Sequence, residues 1–308
     1  MTSGVNAAVK ARAKINLFLH VGEKREDGFH PLQSLAAFTD FGDRVVAEEA
    51  DDLSLSLEGP FAAGLEGDGN LVLRAARALA ERAGRPPQAR ITLTKNLPLA
   101  SGVGGGSADA AATLRLLSNL WQLKYDEKTL RDIGATLGSD VPVCVRSQPA
   151  FMEGRGELLT PVTSLPRLPL LLVNPRVAIP TADIFAALGE RRGIGMKLPS
   201  GGFTDLADLL RFLEITNNDL EAPAKAREPA IAEVLNALSR MPGALFTRMS
   251  GSGATCFALM PDGGGAARAA ALLKEKYPSW WVQPASVPDI GITRETAGRD
   301  IGPTPDGL

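Results

Sequence analysis

Residues 97–121 read LPLASGVGGGSADAAATLRLLSNLW, with Gly102, Gly104, Gly105 and Gly106 placed directly ahead of an alanine- and leucine-rich run. Glycine loses the most conformational freedom on folding and packs no side chain, so such a density needs a local reason. Upstream, Ile91 and Leu93 alternate with Thr92 and Thr94, the period of a half-buried strand. Downstream, Ala110, Leu114, Leu117 and Trp121 recur at helical spacing, and Leu120 adds to the same side. Ser107 or Asp109 is placed to cap that helix. The order is strand, glycine loop, helix N-terminus. It presents unpaired N–H groups and the positive end of a helix dipole, which suits a phosphate. Glycines also make ordinary tight turns. A turn, however, does not call for so many adjacent glycines together with a small hydroxyl and a helix start.

The familiar phosphate loops do not match. A Walker loop needs Lys and then Ser or Thr after its last glycine, whereas Ser107-Ala108 follows Gly106. The dinucleotide fingerprint needs a glycine three residues beyond Gly104, where Ser107 stands. The protein-kinase loop fails on the same spacing, and neither H-R-D nor D-F-G follows. Lys95 is the loop's nearest cation, so a divalent metal and a distant lysine or arginine are expected to neutralise the phosphates.

The 308 residues suit one large or two ordinary domains. A net charge of −2 with no charge run gives no nucleic-acid surface. Cys144 and Cys256 form no C-x-x-C pair, which argues against a disulfide scaffold or zinc site and fits a reducing cytoplasm. MTSGVNAAVK lacks the apolar core of a signal peptide, and no apolar run is long enough to span a bilayer.

KINLFLHV reads as the first strand, with Lys14, Asn16, Phe18 and His20 on one face. By pattern alone that face is more readily a solvated one than a site. REDGFHP is a turn carrying Phe29 and His30, and DLSLSLEG alternates as a strand. Asn70 caps a helix closed by Gly84, and Asp126 starts another ending at Gly138. Asp140 then sits between a helix C-terminus and the apolar alternation Val141, Val143, Val145. An anion after a helix C-terminus is mildly anomalous, although Asp is also common in turns.

TSLPRLP suits a domain junction, and LLLVNP a buried strand. Thr181 caps a helix in IPTADIFAAL, and helical periods follow at 206–213 and 231–238. GALFTRMSGSGATCFALM is strand, glycine turn, strand. A helix after a flexible loop and a last strand in WWVQPA complete the pattern, and the tail from about Gly298 frays. Mixed elements without regular βαβ alternation give an α+β fold.

PLASGVGGGSADAA resembles the central motif of the GHMP kinases, the superfamily named for galactokinase, homoserine kinase, mevalonate kinase and phosphomevalonate kinase. KINLFL and SGSGAT resemble its first and third motifs. AKINLFLHVGEKREDGFHPLQSL, GSDVPVC and NDLE, in that order, give a finer resemblance. It is to the branch that phosphorylates a hydroxyl of 4-diphosphocytidyl-2-C-methyl-D-erythritol, on the non-mevalonate route to isoprenoid precursors. A sibling acting on homoserine or mevalonate would share the glycine loop and lack the Gly28-Phe29-His30 turn. A sensor that binds a nucleotide without transfer is the third possibility.

The resemblance implies a two-domain GHMP-kinase-like fold: an ATP-binding domain at 1–163, a second domain at 164–297 and a flexible tail at 298–308. It implies Lys14 and Asp140 as the catalytic pair. The ATP loop maps to Pro98, Leu99, Ala100, Ser101, Gly102, Val103, Gly104, Gly105, Gly106, Ser107 and Ala108. Asn16, Phe29, His30, Thr181 and Phe185 fall at substrate positions, the two phenylalanines on opposite faces of a cytosine ring. ATP and Mg²⁺ are the implied cofactors, with Ser107 the metal contact. Ala100 and Ser101 stand where many relatives have glycine, and Phe29 where a tyrosine is expected. GERRGIGMKLPSGGFTDLADLL, which follows Phe185, lies outside the resemblance.

Overall fold

The computed structural model describes residues 7–26, 28–189 and 194–291. The first half runs β1 (Ala7–Val21), β2 (Leu32–Glu48), β3 (Leu53–Glu58), α1 (Leu71–Arg82), β4 (Ala89–Thr94), α2 (Gly105–Leu120), α3 (Glu127–Ala135), α4 (Val141–Arg146), β5 (Ala150–Glu153) and β6 (Leu158–Pro161). The second half runs β7 (Leu168–Asn174), α5 (Thr181–Ala186), α6 (Leu206–Glu214), α7 (Glu221–Arg227), α8 (Ala230–Ser239), β8 (Phe246–Met249), β9 (Cys256–Leu259), α9 (Gly263–Lys276) and β10 (Trp281–Val287).

β2 is the axis of a six-stranded sheet ordered β3-β4-β2-β5-β6, with β1 also paired to β2. β3, α1 and β4 form the one parallel pair among the named strands, and the other pairings are antiparallel. The second sheet is ordered β10-β7-β9-β8. The mixture is α+β. α1 and α2 cover the first sheet, and Ala110, Ala111 and Ala112 of α2 are fully buried. Their small side chains let the helix approach the sheet closely. α8 and α9 cover the second sheet. Between the sheets lies one shared apolar layer, built from Ile15 and Leu17 of β1, Leu170 and Leu172 of β7, and Phe257 of β9. Buried Arg248 fastens β1 to the second half by donating to the carbonyl of Leu17 at 2.9 Å and that of Leu213 at 3.0 Å.

Several local expectations change. The apolar alternation at 141–145 lies on the short helix α4, with Pro142 in its first turn. Val141 through Val145 are all buried, so the period of two carried no orientation, whereas Pro at a helix start was the better signal. Neither Ser107 nor Asp109 caps α2. Gly104 holds the N-cap position at φ 65°, with no side-chain cap. Pro180, not Thr181, precedes α5 as its N-cap. Asn70 and Asp126 do cap α1 and α3, accepting from Val72 and Thr129, but α3 ends at Ala135 rather than Gly138. Four-residue β5 and β6 are too short for periodicity to reveal. The tail at 298–308 lies outside the described residues.

Candidate active site

The pairing of β1 with β2 shifts register between Arg12 and Lys14 and again between Asn16 and Leu19. Such irregularities re-aim side chains. Lys14 and Asn16 are 3% and 2% exposed and line a cavity rather than a solvated face, which corrects the pattern-based reading. Lys14 Nζ lies 2.9 Å from Asp140 Oδ2, with the lysine buried and the carboxylate 39% exposed. Asp140 sits at the start of α4 and does not cap it, so its carboxylate is left for Lys14. The anomalous anion is therefore at a helix N-terminus. Asn16 Nδ2 donates to Ser34 Oγ at 2.7 Å, and Ser34 Oγ in turn donates to the carbonyl of Phe18, which locks the amide in place.

The glycine loop fits against these groups. The backbone N–H of Lys14 donates to the carbonyl of Val103 at 2.9 Å. Gly104 takes a positive φ that favours glycine, and a Cβ there would also crowd Lys14 Cε at 3.3 Å. The SGSGAT turn packs backbone to backbone on the same loop. A Cβ on Gly102 would lie 2.5 Å from the Ser250 carbonyl oxygen. Ser250 Oγ donates to the Gly102 carbonyl and accepts from the N–H of Asn16, and the N–H of Thr255 donates to the Ser101 carbonyl. Asn218 of the NDLE stretch holds the turn by donating to the carbonyls of Met249 and Gly251, both at 2.8 Å. Ala100 takes φ 47°, a region that glycine enters more readily. The N–H groups of Gly105, Gly106 and Ser107 have no acceptor among the described residues.

Beneath the loop lies a cluster that sequence reasoning missed. Lys95 is buried and its Nζ donates to Asp43 and, at 2.7 Å, to Asp109. Lys95 is thus committed to two carboxylates and is not a free counter-cation for phosphates. Asp43 also accepts from the N–H groups of Asn96 and Leu97, so it ties β2 to the residues leading into the loop. Asp109 Oδ1 is buried with no partner among the described residues. Burial, opposed by Lys95 and reinforced by Asp43, pushes the Asp109 carboxyl up to about 8. Asp43 accepts three hydrogen bonds, from Lys95 and from the N–H groups of Asn96 and Leu97. Lysine and aspartates lie 52 and 14 residues apart in sequence, a separation with no periodic signature.

A cavity of about 510 Å³ joins these parts. Of the predicted loop, Pro98 through Gly102 and Gly104 through Ser107 line it, with Lys14, Asn16, Asp140, Thr181 and Phe185. Val103 and Ala108 do not, being buried in the core. Thr181 Oγ1 lies 2.8 Å from Ser252 Oγ, which joins α5 to the SGSGAT turn. Phe29 and His30 fall outside this lining. His30 shares an adjoining cavity of about 440 Å³ with Phe185, their rings 6.0 Å apart. Its Nδ1 lies 2.9 Å from the Gly22 carbonyl, which can only accept, so Nδ1 carries the proton. Phe29 is exposed, and the guanidinium of Arg155, a cavity-lining residue that sequence reasoning overlooked, lies 3.6 Å from its ring centroid. Cys144, behind the site, is inert, since burial pushes its thiol up to about 12.

Residues 70–148 match the GHMP kinases N terminal domain and residues 197–279 the GHMP kinases C terminal domain. A 4-diphosphocytidyl-2-C-methyl-D-erythritol kinase from Cereibacter sphaeroides is 50% identical over 281 residues, covering 89% of this chain and 97% of that protein. One from Parvibaculum lavamentivorans is 48% identical over 89% of this chain and 95% of its own. A crystal structure of 4-(cytidine 5'-diphospho)-2C-methyl-D-erythritol kinase aligns with TM-score 0.75 at 34% identity, covering 91% of this chain and 99% of that one. A homoserine kinase from Cytophaga hutchinsonii, at TM-score 0.68 and 19% identity, shares the fold. The chain belongs to the GHMP kinases and, among them, to the family of the 4-diphosphocytidyl-2-C-methyl-D-erythritol kinases.

Proposed function

We propose that this chain transfers the γ-phosphoryl group of ATP to a hydroxyl of 4-diphosphocytidyl-2-C-methyl-D-erythritol, as the names of its relatives indicate. The observation that carries the reading is the 2.9 Å pair of Lys14 and Asp140, opening into the same cavity as the glycine loop. A sensor without transfer activity would have no use for this pair beside its nucleotide loop.

Phosphoryl transfer asks the protein mainly for position and charge. The N–H groups at the start of α2 cradle the donor phosphates. Asp140 orients the acceptor hydroxyl and receives its proton as the new P–O bond forms and ADP leaves. Lys14 pairs with Asp140 and stabilises the nascent alkoxide and the equatorial oxygens. Asn16, fixed by Ser34, and Thr181, fixed by Ser252, position the acceptor. His30 and Phe185 receive its cytosine, with Phe29 on the opposite side.

Among the described residues no group of three or more His, Cys, Asp or Glu is arranged to hold a metal. The Ser107 hydroxyl and the Asp140 carboxylate, in the same cavity, are oxygen donors of the kind that would help hold a nucleotide-bound Mg²⁺. Bound there, Mg²⁺ supplies neutralisation of the phosphate charge. The strands of the first sheet end at Pro161 and those of the second begin at Leu168, which supports domains at 1–163 and 164–297. No helix among the described residues is long and apolar enough to cross a membrane. The free, buried cysteines agree with activity in the cytoplasm.

A coupled ATP-consumption assay tests the reading, with the cytidyl substrate set against mevalonate and homoserine. Turnover should require the cytidyl substrate. Asp140→Asn should lower kcat about 10²- to 10⁴-fold with little change in ATP affinity. Equal rates with mevalonate or homoserine, or an undiminished Asp140→Asn enzyme, would refute it.

A further inference from the structure

The hairpin between β5 and β6 turns at Gly154-Arg155-Gly156, with the glycines at φ 70° and 108°. The turn is held from three sides. The N–H of Leu32 donates to the Gly154 carbonyl at 2.7 Å, the N–H of Arg155 to Glu157 Oε2, and the N–H of Gly156 to the Glu153 carbonyl. A Cβ on Gly156 would lie 3.6 Å from the Ser139 carbonyl oxygen, so the tip abuts the segment leading into Asp140. From this tip Arg155 reaches over Phe29 and also lines the main cavity. Among the described residues, three cationic side chains line that cavity. Lys14 is paired with Asp140 and Lys95 with Asp43 and Asp109, whereas Arg155 makes no ion pair among the described residues. A guanidinium lying on an aromatic ring uses its face, and its N–H groups point outward in its own plane. Stacked so, it keeps the fork that binds a phosphate through two parallel hydrogen bonds.

We propose that Arg155 is a specificity-determining residue that grips the diphosphate of the acceptor substrate, with Phe29 as the platform that holds its guanidinium at the required angle. The proposal rests on the reading above, in which the acceptor is a cytidine diphosphate ester. The aromatic beside the base thereby also orders the cation for the phosphates next to it. ATP, seated on the glycine loop, does not need Arg155.

Arg155 is exposed, so its substitution leaves the fold intact. Competitive inhibition by cytidine and by CDP is measured for the wild type, Arg155→Ala and Arg155→Lys, together with KM for ATP and for the cytidyl substrate. Arg155→Ala should weaken CDP, and raise KM for the cytidyl substrate, by about 10- to 100-fold, the value of hydrogen bonds to a charged group. Cytidine inhibition and KM for ATP should not move. Arg155→Lys should fall between, keeping the charge without the fork. Equal weakening of cytidine and CDP would mean that Arg155 only shapes the base site. Tighter binding of both would mean that it merely obstructs Phe29. Either result, or an unchanged variant, overturns the proposal. A wild type that binds ATP but neither cytidine nor CDP would remove the underlying functional reading as well, and so is distinguishable.

Discussion

Asp109→Asn isolates the buried cluster under the phosphate loop. Asp109 is 3% exposed, its Oδ1 has no partner among the described residues, and burial lifts its carboxyl from 3.8 to about 8. Between those pH values the folded protein holds a proton that the unfolded chain has released. The folded state binds more protons there, so stability falls as pH rises through the window. It is undiminished below 3.8 and fully reduced above 8. The window is roughly four pH units wide, which at about 1.4 kcal/mol per unit sets a ceiling of roughly 6 kcal/mol. Effective screening inside proteins is far stronger than in dry protein, which brings the expected figure to roughly 1–3 kcal/mol. Asparagine cannot ionise, yet it still offers Lys95 an oxygen, and Lys95 keeps Asp43. Lys95 itself titrates outside the window. Burial lowers its pKa, but Asp109 and Asp43 outweigh this and raise it, so its own contribution is present below its usual 10.5. Urea unfolding at pH 5 to 9 should show a wild-type stability that declines toward pH 8. The Asn variant should lack that decline and be the more stable protein at pH 8. A flat wild-type curve, or a variant less stable at every pH, would show that Asp109 is ionised and needed as a partner of Lys95.

Phe29→Ala should raise KM for the cytidyl substrate about tenfold, within the roughly 1–3 kcal/mol of base stacking, and leave KM for ATP alone; equal losses for both substrates would place Phe29 outside the acceptor site. Gly102→Ala should reduce turnover and stability together, by about 1–3 kcal/mol in stability, because its Cβ would meet the Ser250 carbonyl at 2.5 Å and part the two glycine turns; thermal unfolding and kcat unaffected by the change would show that the turns need not touch.

Sequence by itself determined the parts whose signal is local. The strand before Lys95, the helix after Gly104 and the Asn70 and Asp126 caps follow from periodicity and from side chains bonding amides two or three residues away. The motif resemblance named Lys14, Asp140 and most of the loop before any of them had a position. Tertiary structure decided what depends on groups distant along the chain. Two register shifts turn Lys14 and Asn16 from an outward face into the cavity, and a strand cannot announce its partner's register. Helix α4 carries an alternation of period two and is buried all round, so its periodicity was silent about its kind. The Asp43–Lys95–Asp109 cluster and the Arg155–Phe29 stack join residues from separate elements, and their chemistry comes from burial and approach rather than from spacing. Gly102 illustrates both: its presence was legible as a demand for an absent side chain, but only the fold shows that the demand comes from the Ser250 backbone.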